Sequence, residues 1–392
     1  MKEILIVSDS LATGGLEKTL IDLCNVIDYT KYNVDLYLFS DGRDLVPQLN
    51  KNVNLLPDSP YFSTVFNQPI SKAVKSLIKQ KKFGLAFYRL FRFLKARLGL
   101  KGLSKADWCF QKKTMLRLDK KYDVAIGFAE GSAGYYVADC VEANVKNVWI
   151  HTDIKQIISN RALDIMAFTK ADNICTVSQN SKNSLVELYP EFENKIKVFT
   201  LPSLFDFDHI EKLACEPNEM DNSANCIVSV GRLVELKGFH LCVEPCKRLV
   251  DEGYNVKWYV CGDGPQRPEL ENIIKQYNME NNFILLGNKE NPYTYIKNSA
   301  ICVQPSSYEG LSLVVYEEKY FKKPVICTGI KGNLEMIADG KNGLVINRDS
   351  ESIYKAVKQL LDNPEMLKEL GNTPAINFVD KQTTINNIEK TF

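Results

Sequence analysis

The chain has 392 residues, of which 45% are hydrophobic and 25% charged, a length that suits two α/β domains and needs no covalent staple. Three His are too few for a His-rich metal site, and the 11 Cys lie mostly in apolar runs with no CxxC pair, which points to reduced, buried thiols in a cytoplasmic protein. Lys and Arg number 49 against 48 Asp and Glu, yet residues 71–120 hold 15 Lys/Arg beside only Asp107 and Asp119, so a near-neutral total conceals one strongly basic segment.

The first apolar run, 4–7, turns polar at Ser8-Asp9. It reads as a strand and not as a signal peptide. Gly14-Gly15 opens a turn, and Leu16, Leu20, Leu23 and Ile27 predict a helix over 16–28. Further strands are expected at 34–39, 123–128, 147–151 and 174–178, with a helix over 154–171. This alternation means a parallel sheet covered by helices. Leu201-Pro202-Ser203 leads into a polar stretch around 200–225 that reads as a hinge. A second series follows. Its strands are expected at 226–231, 256–261, 283–286, 300–303, 324–327 and 344–346, and its helices at 237–252, 268–278, 293–298, 313–321 and 350–361. The expected layout is an N-terminal domain 1–205 with a basic helical insertion about 70–120, a C-terminal domain 206–375, and a last segment 376–392 returning to the first. No run of about 18 apolar residues is present to span a membrane.

The second series carries the chemistry. Gly231-Arg232 ends a strand and Lys237-Gly238 follows five residues later. A guanidinium fork and a compact ammonium there can grip one diphosphate, aided by the free N–H groups of a helix start. Cys261-Gly262-Asp263-Gly264 ends the next strand, where glycine permits close backbone approach. Glu309 and Glu317 are eight apart, on either side of a helix expected to begin near Ser312. A carboxylate can accept two hydrogen bonds from the vicinal hydroxyls of a sugar. Solvated charge and ordinary capping would explain each feature singly.

Taken in order, Gly231-Arg232, Lys237-Gly238, Gly262-Asp263-Gly264-Pro265, Pro305-Ser306, Glu309-Gly310, Glu317 and Lys323-Pro324-Val325 resemble family 4 of the retaining glycosyltransferases, of the bacterial surface-polysaccharide type. The resemblance is strongest over 226–346. It implies the GT-B fold: two Rossmann-like α/β domains whose open parallel sheets face a central cleft. It further implies that Arg232 and Lys237 hold a donor diphosphate, that Glu309 contacts the transferred sugar, and that Glu317 holds the ribose. Asn288 and Lys289, after Gly287, match the base-lining loop, and Ser312, Leu313 and Val314 match the helix start under the phosphates. Ser312 and Glu318-Lys319-Tyr320 depart from the family's usual glycine and small apolar residues.

In the first domain, Gly14 and Gly15 resemble the family's glycine loop. His151, at a strand end, is expected to be neutral and to hydrogen-bond a sugar hydroxyl or the developing charge. Glu130, also at a strand end, is a candidate acceptor contact. The expected donor is a UDP-sugar, and the acceptor is a lipid-linked or growing surface polysaccharide. No metal or other cofactor is expected. The rival readings are a GT-B enzyme with a soluble acceptor and a non-catalytic nucleotide-sugar-binding partner in a membrane glycan complex. The basic segment, with Arg89, Arg92 and Lys95 among aromatic and leucine positions over 79–98, predicts a cationic helix. Through residues about 79–117 it would dock on an anionic membrane surface. No nucleic-acid module accompanies it. The expected location is the cytoplasmic face of the cell membrane.

Overall fold

The computed structural model describes all residues except 13, 100–102, 158, 200–203, 206, 310 and 377–380, and no side-chain detail is given at 156, 208 and 209. Gly310 of the Glu309-Gly310 motif, Leu201-Pro202-Ser203 at the expected hinge and Asp206 at the expected domain boundary lie outside the described residues.

The chain divides into two units, one formed by Met1–Leu204 with Asp380–Phe392 and the other by Phe205–Val379. The first unit begins with β1 (Lys2–Ser8), α1 (Gly15–Val26), β2 (Tyr32–Leu38) and β3 (Asn54–Leu55). Four helices follow: α2 (Phe62–Phe66), α3 (Ile70–Lys79), α4 (Phe83–Arg97) and α5 (Lys105–Gln111). The sheet then resumes with β4 (Tyr122–Gly127), α6 (Ser132–Cys140), β5 (Ala143–Ile150), α7 (Arg161–Lys170), β6 (Asn173–Thr176), α8 (Gln179–Leu188) and β7 (Ile196–Val198). Its strand order is β3-β2-β1-β4-β5-β6-β7, and the pairings are parallel. Five consecutive residues of β1 are buried, as a strand covered on both faces requires.

The second unit contains α9 (Phe207–Leu213), β8 (Asn225–Val230), α10 (Val243–Asp251), β9 (Val256–Cys261), α11 (Arg267–Gln276), β10 (Phe283–Gly287) and α12 (Tyr293–Asn298). It continues with β11 (Ile301–Gln304), α13 (Leu313–Tyr320), β12 (Val325–Thr328), α14 (Lys331–Leu334), β13 (Leu344–Ile346), α15 (Ser350–Asp362) and α16 (Pro364–Asn372). The order β10-β9-β8-β11-β12-β13 repeats the pattern of the first sheet. In each sheet the strand order reverses beside the first strand, between β1 and β4 and between β8 and β11. The carboxyl ends of those strands frame the crevice where open α/β sheets take ligands.

The last helix, α17 (Lys381–Glu389), belongs to the first unit. The wholly buried Asn147 donates from Nδ2 to the Thr391 carbonyl at 3.0 Å, Lys2 Nζ bonds the Phe392 carbonyl, and the Phe392 ring meets Tyr32 edge-on.

Two expected helices are interrupted. The expected helix over 237–252 begins as two 3₁₀ turns, Glu235–Lys237 and Phe239–Cys242, because Gly238 between them is left-handed at φ 72°. The helix proper starts only at Val243. The expected helix over 154–171 is a 3₁₀ turn, Ile154–Gln156, and then α7, whose start is set by Asn160 accepting from Ala162 and Leu163. The expected cationic helix is α4, which is continuous and is separated from α3 at Lys81, φ 59°.

Candidate active site

In the second unit two strand ends are packed backbone against backbone. Gly231 follows β8 at φ +154° and Gly262 follows β9 at φ +147°. Gly231 N donates to Cys261 O at 2.9 Å, and Leu233 N to Asp263 O at 3.0 Å. A Cβ on Gly262 would run into the Gly231 carbonyl, and one on Gly264 would stand 2.5 Å from Leu233 O. The close approach these glycines permit is thus between two loops of the protein. Its consequence is to fix the backbone that carries Arg232. Arg232 itself is exposed and forms no ion pair with an acidic side chain among the described residues.

Lys237 ends the first 3₁₀ turn, and Arg348 holds that turn by donating from Nη2 to Glu235 O at 2.7 Å. The loop after β11 lies against it. Ser307 N donates to Leu236 O at 2.7 Å, and a Cβ on Gly238 would stand 2.5 Å from Pro305 O. This contact brings Lys237 Nζ within 2.5 Å of Glu309 Oε1, which also accepts from Ser306 Oγ at 2.9 Å. Both charged side chains are largely buried. An ammonium has three donors, so pairing with Glu309 leaves Lys237 able to serve a second acceptor.

Ser312 caps α13. Its Oγ accepts from Val315 N at 3.5 Å and its carbonyl from Tyr316 N at 3.2 Å. The Leu313 and Val314 N–H groups remain outside the intrahelical ladder. Glu317 is buried one and a half turns along, with Tyr293 OH 3.4 Å from its Oε1. Glu318 is wholly buried and accepts from Gln304 Nε2 at 2.6 Å. Burial, reinforced by the Glu317 charge, pushes its carboxyl up to about 8. The buried Lys319 spends its donors on the carbonyls of Leu370, Gly371 and Lys323. The departures at 318 and 319 therefore serve the interior of the unit. After β10, Asn288 is exposed, while Lys289 is paired with Glu219 at 2.7 Å.

In the first unit the carboxyl ends of β1, β4 and β5 gather a second group. Glu130 Oε2 accepts from His151 N at 3.1 Å. The His151 ring packs against Phe128 and Trp149, with Nε2 shielded from solvent and unpartnered among the described residues. Burial lowers the imidazole to about 4, against the opposing pull of Glu130. The ring is neutral near pH 7. Gly14 caps α1 without a side-chain bond, and the Glu17 carboxylate occupies the space that a Cβ on Gly14 would need. The Asp9 carboxyl is raised by desolvation and by the charges of Glu130 and Glu17. Its side chain is nevertheless exposed. The sequence reading missed Asp9 and Glu17, although Asp9 holds the strand-end position that singled out Glu130 and His151. Among the described residues no group of three or more His, Cys, Asp or Glu is placed to hold a metal ion. All eleven cysteines are unpaired, and eight are buried.

Comparison with known proteins gives this geometry a context. Residues 214–374 match the family described as "Glycosyl transferases group 1". An uncharacterized glycosyltransferase of Methanocaldococcus jannaschii is 31% identical over 166 residues. That match covers 41% of this chain and 40% of the relative, so the chain spans about two fifths of that protein's length. The N-acetylgalactosamine-N,N'-diacetylbacillosaminyl-diphospho-undecaprenol 4-alpha-N-acetylgalactosaminyltransferase of Campylobacter jejuni is 24% identical, with 95% of this chain and 93% of that one covered. Among solved structures, Anabaena HepE in complex with UDP and glucose superposes at a TM-score of 0.70 with 16% identity, covering 100% of this chain and 99% of that one. The fold is GT-B. Each unit is one of its Rossmann-like halves.

Proposed function

We propose that the chain is a retaining, family-4 glycosyltransferase that moves a sugar from a UDP-sugar to a lipid-linked or growing surface-polysaccharide acceptor. The observation that carries this reading is the Lys237–Glu309–Ser306 cluster beside the capped start of α13. A cation and a carboxylate side by side suit a sugar diphosphate, whose phosphates take the one and whose hydroxyls take the other. Arg232, Lys237 and the N–H groups of Leu313 and Val314 receive the diphosphate. Glu309 orients hydroxyls of the transferred sugar, and Glu317 receives the ribose. His151, neutral, offers a hydrogen bond to the sugar, and Gly14 and Gly15 line the donor from the first unit. Glu130 contacts the acceptor.

In the reaction an acceptor hydroxyl oxygen forms a bond to the anomeric carbon on the face from which the diphosphate departs. The bond from that carbon to the β-phosphate oxygen breaks, and the acceptor proton passes to the departing oxygen. The cations compensate the charge growing on the diphosphate, and turnover needs no divalent ion. The UDP and glucose bound by HepE support the donor class, and the undecaprenol-linked substrate named for the Campylobacter enzyme supports the acceptor class. The basic insertion supports a peripheral position on the cytoplasmic face of the membrane.

The test is transfer from UDP-glucose and UDP-N-acetylglucosamine to an undecaprenyl-diphosphate glycan in the presence of EDTA. Arg232→Ala and Lys237→Ala are each expected to lower kcat by about 10²–10³-fold, as for removal of an oxyanion donor. Wild-type turnover in both variants, or activity that EDTA abolishes and manganese restores, rejects the mechanism.

A further inference from the structure

Helix α4 has two unlike sides. On its inner side Leu85, Ala86 and Tyr88 form a small core with Val65 and Leu77. The three cations that give the sequence its basic periodicity are also engaged there. Arg89 Nη2 donates to Gln68 O at 2.9 Å, Arg92 lies over the Phe66 ring at 4.2 Å, and Lys95 Nζ meets the buried Asp107 at 2.5 Å. Arg89, Arg92 and Lys95 therefore act as struts between helices. This corrects the expectation that they form the membrane-facing charge.

The outer side is apolar. Phe83, Phe87, Leu90, Phe91, Leu94 and Leu98 are each 44–74% exposed. At 3.6 residues per turn these six fall within an arc of about 100°. No acidic residue occurs on the helix, and exposed cations stand at both its ends, Lys79 and Lys81 before it and Arg97 at its last turn. A contiguous exposed apolar stripe of this kind marks an interaction surface.

We infer that this stripe is a bilayer-insertion face, with α4 lying in the plane of an anionic lipid surface, its six apolar side chains at the acyl boundary and its terminal cations among the headgroups. The inference deepens the membrane part of the proposed function, rests on it, and is independent of the transfer chemistry. Charge selects lipid over a second copy of the chain. Two stripes laid face to face would bring their cationic ends and the surplus charge of residues 71–120 into mutual repulsion.

Because the core of the insertion lies on the opposite side of the helix, the stripe can be altered without removing what holds it folded. The experiment compares full-length wild type with Phe87→Glu/Phe91→Glu/Leu94→Glu. Both are sedimented with phosphatidylglycerol–phosphatidylcholine vesicles and with phosphatidylcholine vesicles, and thermal melts establish that both are folded. Wild type should pellet with the anionic vesicles at least tenfold more than with the neutral ones, and the triple variant should lose at least tenfold. Wild type that pellets with neither vesicle overturns the membrane reading. Equal pelleting of the two proteins overturns the assignment to this stripe. A lipid-independent dimer that the variant abolishes assigns the stripe to a second copy and overturns the proposal. UDP-glucose hydrolysis without vesicles, expected to be equal in both proteins, reads the transferase proposal separately. Trp108, Trp149 and Trp258 are buried, so Phe87→Trp supplies an exposed reporter. Its emission should shift to the blue on anionic vesicles, and no shift in pelleted protein means that another surface is inserted.

Discussion

Replacing Gly262 with Ala puts the packing beneath Arg232 under direct strain. The new Cβ would overlap the Gly231 carbonyl oxygen and stand 2.8 Å from its carbon, at a backbone φ of +147° that L side chains rarely adopt. The obstacle is main chain, tied by Gly231 N to Cys261 O and by Gly262 N to Gly287 O, so no side chain can swing aside. Overpacking costs about 1–3 kcal/mol, and the strained backbone adds a similar amount, about 1–3 kcal/mol. Partial relaxation of the loop leaves an expected loss of about 3 kcal/mol, a large share of ordinary domain stability. Urea unfolding measures that loss, and the KM for UDP-glucose, expected to rise, reports displacement of Arg232. Gly84→Ala is the control. It lies in α4 with nothing within 4 Å of a new Cβ, and it should stabilise by about 0.5–1 kcal/mol. A Gly262→Ala protein with the wild-type unfolding midpoint and KM would refute the argument that these two loops set the arginine.

The remaining predictions concern protonation. Glu318 is raised from an ordinary 4.5 to about 8 by burial. Between those values the folded protein keeps a proton that the unfolded chain has released, so stability falls as pH rises through that window. The loss by pH 7 is on the order of 3 kcal/mol. Glu318→Gln should abolish this slope in denaturation curves taken from pH 5 to 8, and parallel curves for the two proteins would contradict it. His151, lowered to about 4 by burial, should show ring resonances that stay flat from pH 5.5 to 8, assigned by their absence in His151→Gln. A midpoint between 6 and 7 would disprove the neutral, desolvated ring.

The order of strands and helices was legible because buried parallel strands are short apolar runs and their helices repeat at 3.6 residues. The strand-end positions of Arg232, Glu130 and His151 followed from that order alone. Three kinds of detail were not legible. β3 and β7 are two and three residues long and carry too little pattern to stand out. The break at Gly238 depends on a left-handed residue whose neighbours, Leu241 and Cys242, continue the helical apolar spacing. The direction of a charge is invisible to composition. Arg89, Arg92 and Lys95 look like a solvated stripe until their partners Gln68, Phe66 and Asp107 are known. Nor does sequence reveal that Glu318 is wholly buried and accepts from Gln304 at the end of another strand.

The final thirteen residues pack with the first unit, which makes the second unit an insert with two seams. A chimera that exchanges the Phe205–Val379 half needs two junctions and must keep the native tail. A single crossover near residue 204 would pair β5 with a foreign terminus and strip Asn147 of its partner on Thr391. A buried amide without acceptors costs about 1–3 kcal/mol, so the receiving half would be damaged by an exchange aimed at the other.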